Sequence, residues 1–147
     1  MWGMLWFLSL LIMSSTAAAD TGRQLAASSH RTPIIFSEIM YNPLGADDTN
    51  SLEFVELFNS NPVEEPLRDY RLSGDIDYTF PSGVVIQGRG FLVVARDPVA
   101  LEAASGATGV LGPYTGSLPN DRGTVRLRNR SDALLLDVTY EDQMPWP

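Results

Sequence analysis

The chain is predicted to fold as an all-β sandwich or barrel carrying one short helix. Three observations predict it: short runs of β-branched and apolar residues with period two, turn residues that interrupt them often, and a single stretch with helix-start and helix-stop signals. No repeat with a period of roughly 20–50 residues is present, which argues against propellers and solenoids.

Residues Met1 to Met13 form an apolar run containing Trp2, Leu5, Trp6, Phe7, Leu8, Leu10, Leu11 and Ile12, followed by the small residues Ser14 to Ala19. An apolar stretch with a small-x-small ending reads as a secretory signal over residues 1–19, although no Lys or Arg precedes it. The run is too short to span a bilayer, which needs about 20 apolar residues, so no membrane span is expected after cleavage. Residues 20–33 are small and polar without a sustained period, and are read as a flexible linker.

The folded domain is expected over residues 34–147. Ile34 to Met40 is the first strand, stopped at Tyr41-Asn42-Pro43-Leu44-Gly45, because Pro restricts φ and Gly tolerates positive φ. An acidic loop, Ala46 to Ser51, leads to Leu52-Glu53-Phe54-Val55-Glu56-Leu57-Phe58. There Glu53, Val55 and Leu57 share one face, and Leu52, Phe54, Glu56 and Phe58 share the other. Leu67–Leu72, Asp77–Phe80 and Val84–Ile86 are shorter candidates, each closed by turn residues. Phe91 to Ala95 is apolar on both faces and is therefore expected to be a central strand covered on both sides. Asp97 to Ala104 is the one helical stretch, with Asp97 at the cap, Pro98 at the first helical position and Gly106 as the stop. The last hairpin runs from Thr124 to Arg128, turns through Asn129-Arg130-Ser131-Asp132, and returns from Leu134 to Tyr140. Val125 and Leu127 face inward, and a one-residue slip would bury Arg126 and Arg128 instead.

Composition narrows the function. The 147 residues are 44% hydrophobic and 19% charged, a globular balance. All ten basic residues are Arg, eighteen are acidic, and the formal net charge is -8. Nucleic acid is disfavoured as a direct partner, because phosphate neutralisation needs a basic surplus. With no Cys, and with His30 in the linker as the only histidine, Ser-His and Cys-His nucleophilic arrangements are excluded. Gly88-Arg89-Gly90 lacks the third glycine and following helix of a phosphate loop.

Several groups remain as candidate sites. Asp47, Asp48, Asn50 and Glu53 form an oxygen-rich set that suits a hard cation, so Ca2+ is the only cofactor the chain suggests, although the spacing is not that of an EF-hand. Glu53 and Glu56 point to opposite strand faces and make a poor acid–base pair. Glu56 lies on a largely apolar face and calls for a partner such as Arg71 or Arg96. Arg126, Arg128 and Arg130 are candidates for a basic stripe that meets an anionic partner, set against the plainer reading of cross-strand pairing with Asp137 and Glu141. Asn129-Arg130-Ser131 matches a glycosylation acceptor. Tyr114 and Trp146 are candidates to stack on a sugar ring, with a core or closing role favoured for Trp146.

Several stretches, taken in order, resemble the bacterial, exported type of lamin-tail domain. They are Ile35-Phe36-Ser37-Glu38-Ile39-Met40-Tyr41-Asn42-Pro43, Glu53-Phe54-Val55-Glu56-Leu57-Phe58-Asn59, Leu67-Arg68-Asp69-Tyr70-Arg71-Leu72-Ser73-Gly74, Asp77-Tyr78-Thr79-Phe80-Pro81-Ser82-Gly83, Gly90-Phe91-Leu92-Val93-Val94-Ala95, and Val138-Thr139-Tyr140 with Pro145-Trp146-Pro147. The resemblance implies an immunoglobulin-like β-sandwich of two sheets with no general catalytic residues. It also implies a closing strand beyond Pro147, so the domain is expected to be C-terminally truncated.

The expected function is a non-enzymatic binding or spacer module of a secreted, periplasmic or cell-surface protein, whose partners are other domains or proteins of the cell envelope. Two alternatives stand beside it: a calcium-dependent carbohydrate- or envelope-binding module, and the accessory domain of a longer secreted enzyme. The sequence leaves the oligomeric state open.

Overall fold

A computed structural model describes residues 32–43 and 49–142, with the side chains of residues 49 and 50 left aside. The signal segment 1–19, the linker through Arg31, Asp47, Asp48 and Pro145-Trp146-Pro147 lie outside the described residues.

Among the described residues ten strands and one α-helix follow in chain order. They are β1 (Ile34–Met40), a 3-10 turn (Thr49–Leu52), β2 (Phe54–Asn59), β3 (Glu65–Pro66), β4 (Arg71–Gly74), β5 (Ile76–Thr79), β6 (Val85–Ile86), β7 (Phe91–Ala95), α1 (Pro98–Ser105), β8 (Thr115–Gly116), β9 (Arg122–Arg128) and β10 (Leu134–Glu141). A three-stranded sheet ordered β1-β2-β7 packs against a five-stranded sheet ordered β10-β9-β4-β5-β8, and β3 pairs with β6 beside them. The fold is an immunoglobulin-like β-sandwich. No described helix is long and apolar enough to cross a membrane.

Alternation explains the layers. In β2 the odd positions Val55 and Leu57 are buried, and in β9 so are Val125 and Leu127, while their neighbours face outward. Together with Ile34, Leu72, Ile76 and Val94 they form one core between the sheets. Each such side chain stabilises by roughly 1.5–3 kcal/mol when fully buried. Buried Asn59 ends β2: its Nδ2 donates to the carbonyls of Val63 (2.8 Å), Ile86 (3.2 Å) and Gln87 (3.2 Å), tying the end of β2 to the loop before β3 and to the end of β6.

The helix follows its local signals. Asp97 accepts from the Ala100 N–H at 3.0 Å, Pro98 opens the first turn, and Gly106 closes the last turn at φ 74°.

Two strand expectations are corrected. Phe91–Ala95 is not central: β2 holds the middle and β7 lies at the side of its sheet. The free edge of β7 is covered by the segment at Leu111, which donates to the Val93 carbonyl at 2.9 Å and accepts from the Ala95 N–H at 2.8 Å. That cover, together with an apolar outer surface, accounts for apolar residues on both faces. The stretch Leu67–Leu72 is not continuous strand either. Asp69 adopts φ 61°, and the Tyr70 N–H bonds back to the Leu67 carbonyl at 2.9 Å, so the chain turns before β4 begins at Arg71.

Candidate interaction face and buried carboxylate node

Strand parity gives each sheet one face toward the core and one toward solvent. The two solvent faces differ in chemistry.

On the five-stranded sheet the outward positions are polar and self-compensating. Arg126 stands opposite Asp137 in the β9–β10 ladder and pairs with it at 3.2 Å. Arg128 donates to Ser73 Oγ at 3.2 Å and to the Asp132 carbonyl at 2.9 Å, with the Asp132 carboxylate at 3.7 Å. Arg71 pairs with Asp77, a contact that raises the Arg71 pKa through the hydrogen bond and the charge of the carboxylate. Arg122 reaches Glu141 at 4.0 Å. Exposed pairs of this kind contribute about 0–1 kcal/mol each. Of the three arginines of the stripe, Arg126 and Arg128 thus share a face and have carboxylate partners. Arg130 sits in the turn after β9, beside an open cleft of about 500 Å³ that it lines with Arg68, Tyr70 and Glu65.

On the three-stranded sheet the outward positions are largely apolar. Ile35 lies opposite Phe58, and Phe58 lies opposite Phe91, forming one row across all three strands. The Phe58 and Phe91 rings sit 4.7 Å apart. Phe91 is 60% exposed and Ile35 44% exposed. A second row runs Met40, Phe54, Ala95, and at Ala95 it is fully buried. Between them Glu38 stands opposite Glu56, whose other neighbour is Val93. The register shifts between Phe36 and Glu38, and this bulge lets the Ser37 hydroxyl donate to Glu56 Oε1 at 2.8 Å. Glu56 therefore has Ser37 as its partner, and neither Arg71 nor Arg96 serves it.

Arg96 belongs instead to Glu53, which is fully buried. Glu53 Oε2 accepts from the Tyr114 hydroxyl at 3.1 Å and from the Leu118 N–H at 3.0 Å, and lies 3.7 Å from Arg96 Nη1. Glu53 Oε1, Arg96 Nη1 and Tyr140 Oη are buried without a hydrogen-bond partner. Burial, then the Glu53 charge and hydrogen bond, push the Tyr114 phenol well above its ordinary value. Burial, then Asp75 and Glu53, do the same to Tyr140. A carboxylate here favours the neutral phenol and anchors the stretch around Leu118 to the start of β2.

This node corrects one expectation and relocates another. Tyr114 is buried, so its ring is not available to stack on a sugar. Of the proposed calcium ligands, only Glu53 has a described side chain, and its carboxylate turns into the sandwich toward Tyr114 and Leu118. Among the described residues no group of three or more metal-ligating side chains forms.

The row Ile35, Phe58 and Phe91 is not among the candidate sites the sequence offers. Its signal was present: Phe54 and Phe58 alternate with a carboxylate, and the inward parity of the same strand also carries one. An apolar surface and an apolar core leave the same pattern in a strand.

No curated protein matches the chain. Residues 27–142 match the family model described as Lamin Tail Domain, across both sheets of the sandwich, and the chain therefore belongs to the lamin-tail domain family.

Proposed function

We propose that this chain is a non-catalytic interaction module of an exported protein, docking a protein partner through the outer face of its three-stranded sheet. The row Ile35–Phe58–Phe91 carries the reading, because exposed Ile35 and Phe91 flank the half-buried Phe58 there. Glu38 and Glu56 define the partner's chemistry. Like charges directly opposite on two strands are unfavourable, and an Arg or Lys set among apolar side chains would relieve them on docking. Export rests on the apolar run Met1–Met13 and its small-residue ending. The lack of histidine and cysteine among the described residues, and the sealed position of Glu53, support a module without chemistry of its own.

The test is a photo-crosslinking amino acid placed at Phe91 in the producing cell, with Thr139 on the opposite sheet face as the control position. A discrete protein adduct is expected from position 91 alone, lost when Glu56→Arg reverses the charge. No adduct at 91, or equal adducts from 91 and 139, would overturn the proposal.

A further inference from the structure

Glu53 stands just before β2 and Arg96 just after β7, and the Arg96 N–H donates to the Glu53 carbonyl at 3.0 Å, so the two backbones are held side by side. Their side chains do not meet as closely. Arg96 Nη1 lies 3.7 Å from Glu53 Oε2, longer than a hydrogen bond, and Oε2 already accepts from Tyr114 and Leu118. Glu53 Oε1 and Arg96 Nη1 have both left solvent without gaining a partner, and so has Tyr140 Oη. The Glu53 charge raises the Tyr140 phenol, and both act on Tyr114, which puts all of these groups on one node. Buried polar atoms are costly alone, and protein interiors hold them with a protein or water partner.

Charge and geometry decide what fits between them. Glu53 and Arg96 cancel, so a cation would be set against the guanidinium and an anion against the carboxylate, each where water screens little. The guest is therefore neutral, and it must accept from Nη1 while donating to Oε1. Water does both, and it keeps one further hydrogen bond for the Tyr140 hydroxyl, which can donate or accept. Distance agrees. Oε1 is the other oxygen of the same carboxylate, at most one carboxylate width farther from Nη1, and one water spans about 5–6 Å with two hydrogen bonds of ordinary length.

We infer that Glu53, Arg96 and Tyr140 form a binding site for a single buried water molecule, which accepts from Arg96 Nη1, donates to Glu53 Oε1 and completes its shell on the Tyr140 hydroxyl. The water turns a contact too long for direct pairing into a continuous bridge between the start of β2 and the start of α1. Arg96 also controls access. Its side chain is 36% exposed although Nη1 is buried, and it lines an open pocket of about 450 Å³ with Ser51, Pro98 and Pro113. The water exchanges with bulk when the Arg96 side chain swings out into that pocket.

The experiment uses the full chain. Oxygen-17 magnetic relaxation dispersion counts the waters that a protein holds for longer than it takes to tumble. Arg96→Met removes the donor and keeps an apolar stem, and Arg68→Met, at an exposed arginine, is the control. The parent is expected to hold one more such water than Arg96→Met, and the control to match the parent. A crystal structure of the parent at near-atomic resolution should show an isolated peak at about 2.6–3.2 Å from both Glu53 Oε1 and Arg96 Nη1, and this measurement decides alone if Arg96→Met does not fold. Equal counts in parent and Arg96→Met, or Oε1 and Nη1 in direct contact, would overturn the inference. So would a peak at about 2.3–2.6 Å ringed by roughly six or more oxygens, which would make the guest a hard cation.

Discussion

Replacing Glu53 tests the buried node most directly. In Glu53→Ala the Tyr114 hydroxyl and the Leu118 N–H both lose their acceptor inside the sandwich. Each stranded buried donor costs about 1–3 kcal/mol, so the two together cost roughly 2–6 kcal/mol. The Arg96 Nη1 that faces Glu53 is itself buried, so losing the carboxylate there adds to the cost and does not offset it. Glu53→Gln keeps an oxygen in place for both donors and exchanges charge-assisted bonds for neutral ones, which should cost only about 1–2 kcal/mol. The assay is urea denaturation of parent, Ala and Gln variants, read as the midpoint at constant slope. The expected order is parent, then Gln, then Ala, with Ala melting on the order of 10 °C lower. If Ala stays within about 0.5 kcal/mol of the parent, the margin expected of an ordinary surface substitution, the carboxylate is not holding these donors. If Gln is as damaging as Ala, the charge and not the acceptor geometry is what matters.

Alkaline pH should unfold the domain. Tyr114, Tyr140, Tyr70 and Tyr78 all have phenols raised from the ordinary 10.0, with burial the first cause in each. Their contribution is fully present below pH 10 and is lost as pH climbs toward the folded values, because the unfolded chain releases those protons first; phenolate absorbance should therefore rise together with loss of structure. Gly74→Ala should cost more than about 2 kcal/mol, since Gly74 sits at φ 113° and a Cβ there would overlap the Thr124 carbonyl oxygen; a melt within 1 °C of the parent would contradict it. Asp97→Ala removes the cap of α1 and should cost about 1 kcal/mol, seen as faster amide exchange at Ala100 with the sandwich strands unaffected.

How much was legible follows from where each determinant lies. Asp97, Pro98 and Gly106 sit within ten residues of one another, and the helix they predict is the helix observed. The last hairpin was equally readable, because Val125, Leu127 and their flanking arginines carry a period of two with opposite chemistry on each face. Asp69 broke a strand that looked continuous, since its positive φ leaves no mark in an apolar pattern. The position of β7 depends on Leu111, which covers its edge from beyond the helix. Glu53 and Glu56 were the hardest pair. Parity separated their faces, but the choice of inner face rests on Tyr114 and Leu118, more than sixty residues away. The same ambiguity hid the outer row of Phe58 and Phe91, for a strand apolar on both sides gives no sign of which side meets water.

The contrast between the two outer surfaces sets a stoichiometry. A module adhesive on two opposed sides can link neighbours head to tail without limit, and an interface that does not close by symmetry grows into fibres. Here the five-stranded side meets its arginines with its own aspartates, and the three-stranded side is the one with exposed Phe91 and Ile35. Docked as proposed through the three-stranded side, such a module would take one partner and present a charge-paired back to everything else. Attachment would then occur at a single point and assembly would stop there.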